Sequence, residues 1–311
     1  MSRPWGVAGS ERARSIAKSD GPVGEIWFER PGSPARAPSL LLKVLLTSQP
    51  LSIQVHPGDA FARSKGLPNG KSEAWYVLNA APGAQVALGL SQTLTHEQLR
   101  SAVEDGSIQD LVRWQKVWVD DAISVPAGTI HAIGAGLVIA EIQQRSDATF
   151  RMFDFGRNRQ LHVDDALSVA IPSPADQQTR PSPISEERTL LVENEHFVLE
   201  RIDLLPDTRW QLEADRETWI FILSGAAKVG KFDVKMGDVI FAQSDLVGIQ
   251  AQSIGVEALA AYAGPDVVSN LLQPLDASDS NRASPHEQPA KPSRNIATPP
   301  CPEKRRTRVS P

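Results

Sequence analysis

The chain has 311 residues, with 32 Lys and Arg against 37 Asp and Glu, a formal net charge of −5. That length suffices for one large or two ordinary domains with a real hydrophobic core. The acidic balance argues against a general nucleic-acid or anionic-membrane binder, either of which needs a basic face. A single cysteine, Cys301, excludes an internal disulfide and fits a reducing, cytoplasmic setting. The N-terminal MSRPWGVAGSERARS lacks the apolar core of a signal peptide, and the longest apolar run, SLLLKVLL, is short and interrupted by Lys43.

In chain order, GEIWFER from Gly24 predicts a strand, PGSPARAPS a loop, and LLLKVLL and LSIQVH two further strands across the SQP break. Alternation in LSIQVH sets Leu51, Ile53 and Val55 on one face and Ser52, Gln54 and His56 on the other. The apolar set is expected to pack in the core and the polar set to line a cavity. Gly, Pro and Asn predict a long loop from Pro57 to Lys71. SEAWYVLNA then reads as a strand with Glu73 near its start, and QVALGL as its hairpin partner across APGA. Thr95 and Gln98 form a capping-box pair ahead of Leu99 and Val103, and IQDLVRW suggests another turn or two, so a helical insert is expected near 95–114. Strand rhythm returns in KVWVDDAISVPAGTIHAIGAGLVIAEIQQ.

After Arg157, LHVDDALSVA predicts a short helix and SPADQQTRPSPISEER a polar linker. From Thr189 to Gly264 a second set of short strands separated by Gly turns predicts a second, smaller barrel or sandwich. From Gln273 onward, Pro, Ser and charge predict disorder. This tail carries seven cations against four anions, so the body is more acidic than the total; KRRTR reads as a solvated tail rather than an anionic-surface tag. The chain thus divides into 1–172, 189–266 and a tail at 273–311.

Chemistry concentrates at a few positions. In PAGTIH, Pro126 and Gly128 predict a tight turn, after which a strand points His131 inward. With Gln54, His56 and Glu73 it supplies two imidazoles, a carboxylate and an amide oxygen. That set suits zinc or a similar divalent ion with a position left for water or substrate. In EIQQRSDATFRMFDFGR, alternation from Glu141 through Gln143 continues the cavity face, and Arg151 follows a turn at SDA. An arginine in such a pocket calls for an anion, a substrate phosphate or carboxylate; the alternative is a structural ion pair with Asp154. Lys71, two residues before Glu73, is a candidate for the same anion or for proton transfer.

QVHP, GKSEAWYVL, PAGTIHAIG and the EIQQ-SD-TFR-FDFGR run resemble type I phosphomannose isomerase, also called mannose-6-phosphate isomerase, in its compact bacterial form. The likeness spans about Trp5 to Arg157. It implies a mainly β protein of two cupin-like barrels, the first catalytic and metal-binding. It implies one Zn2+ per chain on Gln54, His56, Glu73 and His131, with Arg151 as active-site arginine and Glu141 and Lys71 lining the pocket. The implied reaction interconverts mannose 6-phosphate and fructose 6-phosphate through a cis-enediol, so the expected partner is a small sugar phosphate, with no nucleic acid and no membrane. Two departures stand out: Arg145 occupies a place where a small or neutral polar side chain is usual, and the second unit lacks matching ligands, which implies a metal-free cupin. Rival readings are a cupin metal enzyme acting on a different sugar and a non-catalytic sugar-binding cupin. Neither the proton-transfer base nor the oligomeric state is legible in the sequence.

Overall fold

The structure is a computed structural model that describes residues 23–30, 32, 37–176 and 180–275. The expected tail beyond Leu275, with Cys301 and KRRTR, lies outside the described residues, as does the N-terminal segment. The first unit runs β1 (Glu25–Phe28), β2 (Leu40–Thr47), β3 (Ile53–Val55), α1 (Asp59–Ser64), β4 (Glu73–Ala80), β5 (Gln85–Leu90), α2 (His96–Asp105), α3 (Ile108–Leu111), β6 (Val112–Lys116), β7 (Ala122–Val125), β8 (His131–Ile133), β9 (Leu137–Gln144), β10 (Phe150–Phe153) and α4 (Val163–Val169). Its strands form two five-stranded sheets, ordered β1-β2-β9-β4-β7 and β10-β3-β8-β5-β6. They face each other as a cupin-like barrel, filled by Leu45, Trp75, Val77, Val86, Leu88, Ile123, Ile133 and Ile139.

This topology corrects the hairpin expected across APGA. β4 pairs with β7 and β9, whereas β5 pairs with β6 and β8, so the two strands lie in opposite sheets. The turn between them, with Gly83 at φ 80°, carries the chain from one wall to the other.

The outer face of each sheet is also covered, by different means. Leu42, Val44, Ala74, Tyr76, Ala140 and Ile142 of the first sheet pack on Leu199, Trp219, Phe221 and Leu259 of the second unit. Apolar burial on both faces explains why β2 and β9 read as near-continuous hydrophobic runs and are buried at every residue. The second sheet turns Ile53, Val55, Ala132 and Met152 toward Leu99, Val103, Ile108 and Leu167 of the helices. Leu51 departs from the expected alternation: it precedes β3 and joins the barrel interior, while Ile53 and Val55 face the helices.

The capping box forms, with Thr95 N donating to Gln98 Oε1 at 2.8 Å and Gln98 N to Thr95 Oγ1 at 3.1 Å. The helical insert ends earlier than expected, because Val112 is already extended and Val112–Lys116 pairs with β5. The expected loop from Pro57 to Lys71 contains the unpredicted α1. Its Phe61 ring meets Phe150 at 5.9 Å, a tertiary contact that local composition does not announce.

The second unit comprises β11 (Ser182–Pro183), β12 (Arg188–Glu193), β13 (Phe197–Leu204), β14 (Arg209–Ala214), β15 (Thr218–Val229), β16 (Phe232–Lys235), β17 (Val239–Ala242), β18 (Asp245–Ala263) and β19 (Leu272–Pro274). The 19-residue β18 pairs with β13, β14 and β15 and curls the nine-stranded sheet around Leu212, Ile220, Ile222, Val229 and Ile249. Gln273 and Pro274, the first residues of the expected tail, belong to β19 and pair with β14. Glu217 ties the units together, since its carboxylate accepts from Ser39 N at 2.6 Å and from Leu40 N at 2.9 Å.

Candidate metal centre and active site

Strand register places the chemistry. Gln54 of β3 lies directly opposite His131 of β8 on one side and Arg151 of β10 on the other. Directly opposed residues of an antiparallel ladder project to the same face, so these three share one side of the second sheet. Across the barrel, Glu141 of β9 lies between Lys43 of β2 and Trp75 of β4, and Gln143 lies opposite Glu73.

The imidazoles are held for ligation. His56 Nδ1 donates to Ala148 O at 2.8 Å and His131 Nδ1 to Thr129 O at 2.8 Å. A ring that gives its Nδ1 proton to a backbone carbonyl presents the Nε2 lone pair, the tautomer a metal requires. Each Nε2 lies 3.4 Å from an oxygen of Glu73, His56 from Oε2 and His131 from Oε1. One donor atom from each of His56, Glu73 and His131 falls within 4.8 Å of the others, and all three residues are buried. Gln54 Nε2 lies 3.3 Å from His131 Nε2, while its Oε1 accepts from Ser52 Oγ at 3.0 Å. Lys71 Nζ lies 3.1 Å from His56 Nε2 and 3.2 Å from Glu73 Oε2.

The protonation states suit a cation. Burial, then the neighbouring Lys71 charge, lowers His56 to about 3, so the ring is neutral at physiological pH. Burial also lowers His131. For Glu73 burial acts upward, but Lys71 and His56 outweigh it and hold the carboxyl well below its usual range. Glu73 Oε2 is buried, lies 3.2 Å from the Lys71 ammonium and accepts no hydrogen bond among the described residues. Two neutral imidazoles and a buried carboxylate can hold a metal ion.

The segment bearing Lys71 and Glu73 is clamped from outside. Asp59 Oδ1 accepts from Gly70 N at 2.8 Å and from Gln144 Nε2 at 3.0 Å, and Gln144 Oε1 accepts from Ser72 N at 2.9 Å. A Cβ on Gly70 would stand 2.5 Å from Pro57 O, so only glycine fits. Sequence reasoning missed Asp59, Gln144 and Lys43. For Lys43 a signal existed: a lone lysine inside a run of leucines is costly unless an acid meets it, and Glu141 does so at 2.7 Å.

A mannose-6-phosphate isomerase of Streptococcus mutans is 31% identical over 243 residues, 72% of this chain and 76% of that protein. The chain belongs to the mannose-6-phosphate isomerase family. Within that family, the mannose-6-phosphate isomerase ManA of Bacillus subtilis is 38% identical over 148 residues, 45% of this chain and 47% of its own. The crystal structure of a Bacillus subtilis mannose 6-phosphate isomerase shares the fold at a TM-score of 0.70 and 22% identity, covering 83% of this chain and 96% of that one. A putative mannosephosphate isomerase from Archaeoglobus fulgidus does so at 0.68 and 18% identity, covering 85% and 95%. No family model matches the chain.

Set beside the residues expected from the mannose-6-phosphate isomerase resemblance, the structure brings Gln54, His56, Lys71, Glu73 and His131 into one cluster. Glu141 stands on the facing sheet beside Lys43, and Arg151 on the row of Gln54. Asp154, the alternative partner for Arg151, has its carboxylate engaged by Arg157 and Arg159. Arg145 is met by Glu29, whose two oxygens lie 2.5 and 3.3 Å from its guanidinium nitrogens.

Proposed function

We propose that this protein is an aldose–ketose isomerase that interconverts mannose 6-phosphate and fructose 6-phosphate through a cis-enediol, with one zinc ion on Gln54, His56, Glu73 and His131. The observation that carries the reading is the His56–Glu73–His131 cluster, buried and tautomer-set, in a chain of this family. Gln54 joins the set through a half-turn of its amide, which presents Oε1 beside His131 and leaves Ser52 Oγ as an acceptor for Nε2. Zinc bound there supplies stabilisation of the negative charge that develops on the substrate oxygens when a proton leaves the carbon next to the carbonyl.

The chain's own residues do the rest. Arg151, on the row of Gln54, presents a guanidinium to the substrate phosphate. Glu141 and Lys71 line the proton path between C2 and C1. Burial, reinforced by Glu73, raises the Glu141 carboxyl above its ordinary range against the opposing pull of Lys43, which brings a carboxylate closer to the working pH for proton exchange. The reaction belongs to the first unit, residues 1–172, and the second, residues 189–266, buttresses its outer sheet as a metal-free cupin. Among the described residues no helix is long and apolar enough to cross a membrane; with the single cysteine of the sequence, a cytoplasmic enzyme acting on a small sugar phosphate is the consistent assignment.

The test is a coupled assay on mannose 6-phosphate with the purified protein, after chelator treatment and after zinc is restored. Activity lost on chelation and regained with zinc is expected. Activity that survives metal removal, or none with zinc restored, overturns the proposal.

A further inference from the structure

Gln143 is absorbed neither by the ligand set nor by the proton path. It is 1% exposed and lies in β9 directly opposite Glu73, with Glu141 two residues away on the same strand. All three therefore share the face turned into the barrel. The orientation of its amide is set at one end: Nε2 donates to Ser146 O at 2.7 Å and to Gln144 O at 3.0 Å. Exchanging nitrogen and oxygen would press an oxygen against two carbonyls, so Oε1 is the other end. That oxygen is buried and has no hydrogen-bond partner among the described residues. A buried acceptor without a donor is costly, and native structures rarely keep one without a use.

Lys71, Trp75 and Lys43 on the surrounding wall have their donors engaged elsewhere. Lys71 Nζ meets His56 and Glu73, Trp75 Nε1 donates to Glu73 Oε1 at 3.1 Å, and Lys43 Nζ meets Glu141. A bound ligand can supply the missing donor. A carboxamide oxygen is neutral, does not titrate and accepts only, so it cannot favour a phosphate, which itself needs donors. It matches an alcohol O–H.

We propose that Gln143 Oε1 accepts a hydrogen bond from the 3- or the 4-hydroxyl of the bound sugar and so selects substrates that carry that hydroxyl. The assignment rests on the isomerase reading above and adds a specificity-determining contact to it.

The test measures kcat/KM for mannose 6-phosphate and for its 3-deoxy and 4-deoxy analogues, with the unsubstituted protein and with Gln143→Met, whose metal content and melting temperature are recorded alongside. One neutral hydrogen bond corresponds to roughly a tenfold effect. Gln143→Met is expected to lower kcat/KM for mannose 6-phosphate about tenfold and to leave it unchanged for one of the two analogues, the one that lacks the accepted hydroxyl. An equal loss on all three substrates means a structural role or a bound water and overturns the assignment, as does no loss on any. Should Gln143→Met not fold, the unsubstituted protein still decides: its kcat/KM must fall by about tenfold on at least one analogue, and full activity on both overturns the proposal. Turnover of mannose 6-phosphate with these negative outcomes sinks the Gln143 contact alone, whereas no turnover by the unsubstituted protein sinks the isomerase reading and the contact with it.

Discussion

Replacing Lys43 by methionine tests the electrostatics of the barrel interior most directly. Lys43 Nζ lies 2.7 Å from Glu141 Oε1, and the two side chains are 10% and 4% exposed. Burial acts to lower the lysine, but Glu141 and then Glu25 outweigh it and raise its pKa. Methionine fills a similar volume and leaves Glu141 charged, buried and near Glu73. Breaking a buried pair from one side costs about 3–5 kcal/mol. The cost must depend on pH. The folded-state pKa of Glu141 is already raised above its unfolded value, first by burial and then by Glu73, and loss of Lys43 raises it further. A carboxyl raised in this sense contributes stability below its unfolded pKa and loses it as pH rises through the folded value. The penalty relative to the unsubstituted protein is therefore larger at pH 8 than at pH 5. Urea unfolding at both values measures it, and Lys43→Met combined with Glu141→Leu should recover most of the loss, because no lone charge remains. A Lys43→Met penalty under about 1 kcal/mol, equal at both pH values, would refute this account of the pair.

Other perturbations address the site itself. His131→Ala removes one of three clustered donors and should abolish both stoichiometric zinc, read by metal analysis, and isomerase activity; retention of both contradicts the proposed ligand set. In the metal-free protein His56, lowered to about 3, should show no NMR titration between pH 8 and pH 5. Because its folded value lies below its unfolded one, its contribution is present above about 6.5 and is lost as pH falls toward 3; a midpoint near 6.5 would show that the ring is not held neutral. Arg151→Lys keeps the charge and loses the guanidinium fork, so KM for mannose 6-phosphate should rise about tenfold with little change in kcat; an unchanged KM removes Arg151 from phosphate binding. Gly128 sits at φ +88°, and a Cβ there would stand 3.0 Å from Ile171 Cδ1 and 3.2 Å from Val169 O. Gly128→Ala should cost about 1–3 kcal/mol in calorimetry. Since Gly128 N donates to His56 O at 2.8 Å, zinc affinity should weaken as well.

Neighbouring residues determined much of this protein from the sequence alone. The Thr95–Gln98 capping box depends on residues three apart, and the common face of Gln54 and His56 depends on a period of two. The recurring Gly turns and short apolar runs were enough for a mainly β chain in two units, and four motifs in order were enough for the family. What those rules could not supply was partnership at a distance. The turn at Gly83 serves a hairpin and a wall-to-wall crossing equally well, so only the sheets decided that β4 and β5 part. α1 is held by Gln144, 85 residues away, through Asp59, and local composition there reads as loop. β2 is apolar on both faces because the second unit covers its outer side, and the same strand buries Lys43 against an acid on β9. The approach of His56, Glu73 and His131 to within 4.8 Å is likewise a product of barrel closure. Local propensity sets which way each side chain points along its own strand; which side chains meet is settled by register and packing between strands remote in the chain.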